Sequence, residues 1–94
     1  MIALFAGSFD PFTIGHRSIV ERGLTIFDKI VIAVGHNEHK RGDWTEEQRI
    51  KAISALYSGN PNVEVTGYSG LTVDFAKEIG AKVLLRGVRG VTDF

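Results

Sequence analysis

Ile2-Ala-Leu-Phe-Ala-Gly-Ser-Phe-Asp-Pro-Phe-Thr-Ile-Gly-His16 passes from a short apolar run, through a loop that begins at a glycine, into a helical pattern. A run this short, without polar alternation, reads as a strand buried on both faces. Similar runs follow at residues 30–34, 63–65 and 83–85, rich in Ile, Val and Leu and bounded by Gly, Asn or Pro. Helical stretches separate them. Ile19, Val20, Gly23, Leu24 and Phe27 recur at helical spacing, with charges on the other face. Thr45-Glu-Glu-Gln48 is a capping box ahead of Ile50, Ile53, Leu56 and Tyr57, and Asn60-Pro61 ends that helix. A third helix is predicted from about Thr72 through Val73, Ala76 and Ile79 to Gly80, a natural C′ residue. The order β-α-β-α-β-α-β with right-handed crossovers gives an α/β fold, a doubly wound parallel sheet with helices on both faces. Strand order is not written in the sequence. In the usual order 3-2-1-4, the loops after the first and fourth strands meet at the switch point, where such folds bind ligands.

Composition narrows the function. Eleven Lys and Arg balance eleven Asp and Glu, so there is no broad cationic face for nucleic acid or an anionic membrane, and any anion must be gripped locally. Apolar residues at 44% and charged residues at 23% describe an ordinary folded domain. The absence of cysteine removes disulfides and thiolate zinc sites, and it suits a reducing compartment. No apolar run approaches the roughly 18 residues of a membrane span, and the expected location is cytoplasmic. Glycine is in excess, 11 in 94, or about 12% against a usual 7%, which signals functional turns.

The loop Gly7-Ser-Phe-Asp-Pro-Phe-Thr-Ile-Gly-His16 is the strongest such turn. Gly7 permits close approach of a ligand, and Asp10-Pro11 sets a turn. Gly15-His16 puts an imidazole in the first turn of a helix, where free N–H groups and the dipole attract phosphate. A plainer reading of the same residues is a glycine turn with a capping histidine. The loop matches neither Gly-x-Gly-x-x-Gly nor Gly-x-x-x-x-Gly-Lys-Ser/Thr, which argues against the dinucleotide and P-loop motifs.

Gly7-Ser-Phe-Asp-Pro with Thr13-x-Gly-His16 resembles the Thr/His-x-Gly-His signature of the nucleotidylyltransferase superfamily, and Thr13 in place of a first histidine points to its phosphopantetheine adenylyltransferase family. Lys40, just ahead of the capping box, stands where that family carries a lysine after the second strand. Arg86-Gly-Val-Arg89 followed by Asp93-Phe94 resembles the segment after its fourth strand. The resemblance implies a Rossmann-like nucleotidylyltransferase fold and transfer of an adenylyl group from ATP to 4′-phosphopantetheine, giving dephospho-CoA and pyrophosphate. It implies that His16 is catalytic and stabilises the transition state, and that Ser8, Lys40, Thr72 and Arg86 bind the acceptor. ATP would meet Ser8, Phe9, His16, Gly87, Val88 and Arg89. Mg2+ would accompany the triphosphate, no metal ligand is assigned to the chain itself, and a homohexamer is expected.

The chemistry agrees with those residue types. Adenylyl transfer needs positioning and neutralisation of phosphoryl charge, without a covalent nucleophile. Arg86 directly follows Val83-Leu84-Leu85 and so leaves the carboxyl end of a buried strand, whereas Lys40 and Arg41 lie in a polar loop and also read as solvated residues. Arg89 reads equally as an ion-pairing or subunit-contact residue. His36 and His39, without a third ligand, read as exposed or packing residues rather than a metal site. Trp44 reads as a hydrophobic staple, Asp74 and Glu78 as a solvated face, and Glu46-Glu47 as favourable charge at a helix start. Two departures from the family stand out. The loop before Lys40 is His36-Asn-Glu-His39 where the family commonly has Asn-Pro-Ser, and the family's later nucleotide motifs do not follow Phe94. Residues 1–94 are therefore expected to form one nucleotidylyltransferase domain cut short at its carboxyl end, with Thr92-Asp93 resembling a helix cap. Rival readings are a nucleotidylyltransferase with another phosphorylated acceptor, such as nicotinamide mononucleotide or glycerol phosphate, and a non-catalytic nucleotide-binding or assembly module.

Overall fold

The structure is a computed structural model that describes residues 1–9, 12–35 and 45–85. Along the chain run β1 (Ile2–Gly7), α1 (Ile14–Leu24), β2 (Lys29–Gly35), α2 (Glu46–Leu56), β3 (Val63–Tyr68), α3 (Thr72–Ile79) and β4 (Ala81–Leu85). The strands form one parallel sheet in the order β3-β2-β1-β4, the doubly wound order. The path β1 to β2 to β3 moves one way across the sheet, and β4 returns to the other side of β1. Right-handed crossovers then place α1 and α2 on one face and α3 on the other.

Side-chain alternation along the two inner strands fills both faces. Ala3 and Phe5 of β1, with Ile30, Ile32 and Val34 of β2, pack under Val20 of α1 and Ile53 of α2. Leu4, Val31 and Ala33 point the other way, toward Ala76 of α3. All of these strand residues are at most 2% exposed, so both faces are dry, and the strands read as unbroken apolar runs instead of alternating ones. Each fully buried Phe, Leu, Ile or Val contributes about 1.5–3 kcal/mol.

The helix signals hold at α2 and α3. Gln48 N–H donates to Thr45 Oγ1 at 3.1 Å while Thr45 N–H donates to Gln48 Oε1 at 2.8 Å, closing the expected capping box. Gly80 ends α3 at φ 76°, a left-handed conformation in which a Cβ would be strained. Other expectations give way. Helix α1 stops at Leu24, before Phe27, because Thr25 Oγ1 donates to Arg22 O at 2.7 Å and closes the last turn. Phe27 still packs against the core, from the turn that follows. Val73 and Leu56, assigned by periodicity to inward stripes, are 55% and 50% exposed; on α3 the contact goes to Phe75, Ala76 and Ile79 instead. A single short helix on that face leaves its outer turn wet. Along β4 the register slips by one residue, since Ile2 pairs with Ala81 but Ala3 pairs with Val83. Lys82 is the extra residue of this bulge. Among the described residues no helix is long and apolar enough to cross a membrane.

Candidate functional site

Strand β1 lies between β2 and β4, and the change of direction between β1 and β4 is the switch point of the sheet. The chain leaves β1 at Gly7 and enters a turn set by packing. A Cβ on Gly7 would come within 3.3 Å of the Phe9 ring, so the space that Gly7 provides is filled by Phe9 and not, as the sequence suggested, kept for a ligand. Phe9 has φ 48°, the left-handed region that costs a bulky residue free energy, and its side chain is only 5% exposed. Burial of its ring against Phe5 and Phe12 offsets that cost. Any contact of Phe9 with a nucleotide therefore runs through its main chain.

Arg49 fixes the same turn from below. It is 8% exposed, the only buried charged side chain among the described residues, and donates from Nη1 to Ser8 O at 2.5 Å and from Nε to Thr45 O at 3.3 Å. Helix α2 thus holds the loop after β1 through a guanidinium and a main-chain carbonyl. The sequence reading passed over Arg49. The available signal was its place on the helical stripe of Glu46, Ile50 and Ile53, where a basic residue is out of pattern.

His16 is the third helical residue of α1 and completes a capping box in which imidazole replaces the usual Glu or Gln. Thr13 N–H donates to His16 Nδ1 at 2.8 Å, Thr13 Oγ1 lies 3.1 Å from the same nitrogen, and His16 N–H reaches Thr13 Oγ1 at 3.4 Å. The ring is boxed by aromatics. Phe12 stacks on it at 5.3 Å between centroids and 13° between planes, Phe9 meets it at 5.2 Å and 90°, and Phe5 lies at 5.9 Å. Burial in this apolar corner lowers the pKa of His16 from its ordinary 6.5. The plainer capping reading is therefore correct as far as it goes. It uses one ring nitrogen and leaves Nε2 without a hydrogen-bond partner among the described residues.

Of the residues expected at the site, Ser8, Phe9 and His16 come together around the end of β1. Thr72 does not join them. It opens α3 after β3, two strands from β1, with its hydroxyl 2.9 Å from the hydroxyl of Tyr68. Beside that turn, at the carboxyl end of β3, lies a depression of about 480 Å³ lined by Glu46, Ile50, Gly67, Tyr68 and Ser69. Lys40, Arg86, Gly87, Val88 and Arg89 lie outside the described residues, as do Asp10-Pro11, His36, His39, Arg41, Trp44 and Thr92-Asp93. The strands that lead toward the first two groups, β2 and β4, flank β1 and end at Gly35 and Leu85 on the same edge. Among the described residues no group of three His, Cys, Asp or Glu could hold a metal ion.

Comparison with known proteins agrees with this geometry. The chain is 54% identical over 93 residues to the phosphopantetheine adenylyltransferase of Porphyromonas gingivalis, covering 99% of this chain and 61% of that protein. To the phosphopantetheine adenylyltransferase of Bacteroides thetaiotaomicron it is 49% identical over 98% of this chain and 61% of that protein. The chain thus spans about three-fifths of the length of the curated relatives it matches. In fold it is similar to the solved structure of NadR protein in complex with NAD and AMP-PNP, with TM-score 0.69 at 18% identity over 84% of this chain and 25% of that one. The model of the cytidylyltransferase-like family matches residues 4–94, and the chain belongs to that family.

Proposed function

We propose that the protein transfers an adenylyl group from ATP to 4′-phosphopantetheine, forming dephospho-CoA and pyrophosphate in coenzyme A synthesis. The observation that carries this reading is His16, anchored through Nδ1 in the first turn of α1 beside Ser8, with Nε2 unpartnered among the described residues at the carboxyl end of a central strand. Identity of about half to phosphopantetheine adenylyltransferases over nearly all of this chain supports 4′-phosphopantetheine as the acceptor.

The acceptor phosphate attacks the α-phosphorus of ATP in line, a new P–O bond forms, and the bond to the β-phosphate oxygen breaks to release pyrophosphate. Nothing in this step needs a covalent intermediate. His16 donates a hydrogen bond to the α-phosphoryl oxygens as their charge shifts, and the N-terminus of α1 adds its dipole. Ser8 contacts both substrates, the main chain from Phe9 and the segment Gly87-Val88-Arg89 line ATP, and Lys40 and Arg86 bind the acceptor phosphate. Thr72 meets the pantetheine arm, for which the depression beside β3 offers room. Mg2+ accompanying the triphosphate would supply further neutralisation of phosphate charge, and no residue of this chain is assigned as its ligand. The working form is a cytoplasmic homohexamer.

Pyrophosphate release from ATP, measured with 4′-phosphopantetheine, nicotinamide mononucleotide or glycerol phosphate as acceptor, tests the reading. Turnover with phosphopantetheine alone is expected, and His16→Ala should lower kcat by about 10²-fold while ATP affinity stays within a few fold. Preference for another acceptor would move the protein elsewhere in the superfamily. Nucleotide binding without turnover on any acceptor would favour an assembly or binding module.

A further inference from the structure

His16 is expected to act through one ring edge, and a donor is useful only if its plane and its proton are fixed before substrate arrives. The Thr13 main-chain N–H can only donate, so Nδ1, 2.8 Å away, must be the acceptor, and a neutral ring then carries its proton on Nε2. The hydrogen bond alone leaves the ring free to tilt about the N···N line. Phe12 lies nearly parallel to the ring, at 13°, and Tyr57 at the end of α2 meets Phe12 in turn, with centroids 6.3 Å apart at 77°. Phe9 closes a second side edge-on. We propose that Phe12 is a positioning residue that, together with the Thr13 N–H, holds His16 in one plane and in the Nε2–H tautomer, making it a neutral hydrogen-bond donor. The tautomer and plane rest on the geometry alone, and the donor role rests on the proposed adenylyl transfer.

The electrostatic surroundings favour the same state. Among the described residues Arg17 and Glu21 on α1 act on Tyr57, the cap that follows α2, and Arg49 on α2 reaches Ser8; the cause acting on His16 is burial. Protonating Nδ1 would also set two N–H groups against each other at Thr13. The folded ring therefore takes up its proton at lower pH than the unfolded ring. The stability it contributes is complete above 6.5 and is lost as pH falls through the folded value.

The test reads the ring directly, without substrate. In 15N-labelled protein the long-range imidazole spectrum should show Nδ1 unprotonated and Nε2 protonated at neutral pH. A scalar coupling across the hydrogen bond should join Thr13 N to His16 Nδ1. Phe12→Leu, which keeps apolar bulk without the flat face, should lose at least half of that coupling and raise the His16 midpoint toward 6.5 while the rest of the amide spectrum is retained. Phe12→Tyr restores the stack and should restore both signals. Absence of the coupling in the wild-type protein, an Nδ1–H ring, or a Phe12→Leu protein identical to wild type would each overturn the proposal. Where pyrophosphate release is active, its rate should fall as pH drops through the midpoint; a fall as pH rises through it would mean a cationic donor. Failure of adenylyl transfer itself would leave the ring measurements standing.

Discussion

Two strand-to-helix turns on the same edge of the sheet are built in opposite ways. The turn from β1 to α1 comes off an inner strand whose middle is fully buried, accepts a positive φ at Phe9, and is tied by Arg49, by a reciprocal Thr13–His16 cap and by stacked rings. The turn from β3 to α3 comes off an edge strand, places its positive φ at Gly70, and enters its helix at Leu71 with no side-chain cap. Leu71 is 70% exposed. Strain can be held only where packing over-determines it, so the first turn has the rigidity that orienting a reacting group demands. The second carries no such bracing at its helix entrance.

The contrast can be broken most severely at its packed end. Phe5 is fully buried under Phe9 and beside His16, so Phe5→Ala should cost about 3–5 kcal/mol in denaturant unfolding. Phe75, half-buried and stacked on Tyr68, should cost about 1–2 kcal/mol when truncated in the same way, in proportion to the smaller area it loses. Equal costs would mean that the two turns are equally packed and that the first is not specially braced.

A smaller effect is expected from the brace itself. Arg49→Met keeps the length of the side chain but removes the guanidinium's hydrogen bond to the Ser8 carbonyl, and should cost about 1–3 kcal/mol. Hydrogen exchange should quicken at Ser8 and Phe9 before it quickens in β3. If it quickens first at the β3–α3 turn, Arg49 stabilises α2 and not the loop after β1.

The smallest effects sharpen the contrast from both sides. Thr13→Ala removes a working cap and should cost about 1 kcal/mol, whereas Leu71→Ser installs an absent one and should gain about 0.5–1 kcal/mol. Thermal unfolding of the pair should show shifts of opposite sign. Shifts of the same sign would show that the α3 entrance is already satisfied in another way.

Much of this architecture is legible along the chain because it depends on local patterns. Four apolar runs, the Thr45–Gln48 box and Gly80 each act within a few residues, and each appears in the structure where the sequence puts it. The candidate site is legible to the extent that Ser8, Phe9 and His16 sit in one loop. Arg49 escaped because its two partners, 4 and 41 residues away, are carbonyls, which have no residue identity to read. Val73 and Leu56 misled because periodicity marks a helical face without saying whether a neighbouring element covers it.

By itself the sequence determined the alternation of strands and helices, the parallel sheet that right-handed crossovers impose, and the histidine at the start of the first helix. Those follow from propensity, spacing and chirality, which act on neighbours in the chain. Only the tertiary structure decided that β4 closes the far side of β1, that Phe9 turns inward against Gly7, and that Phe12 lies flat on His16. These are outcomes of competition for one dry interior, where each ring's position depends on which others have filled the space, and no short stretch of chain carries that information.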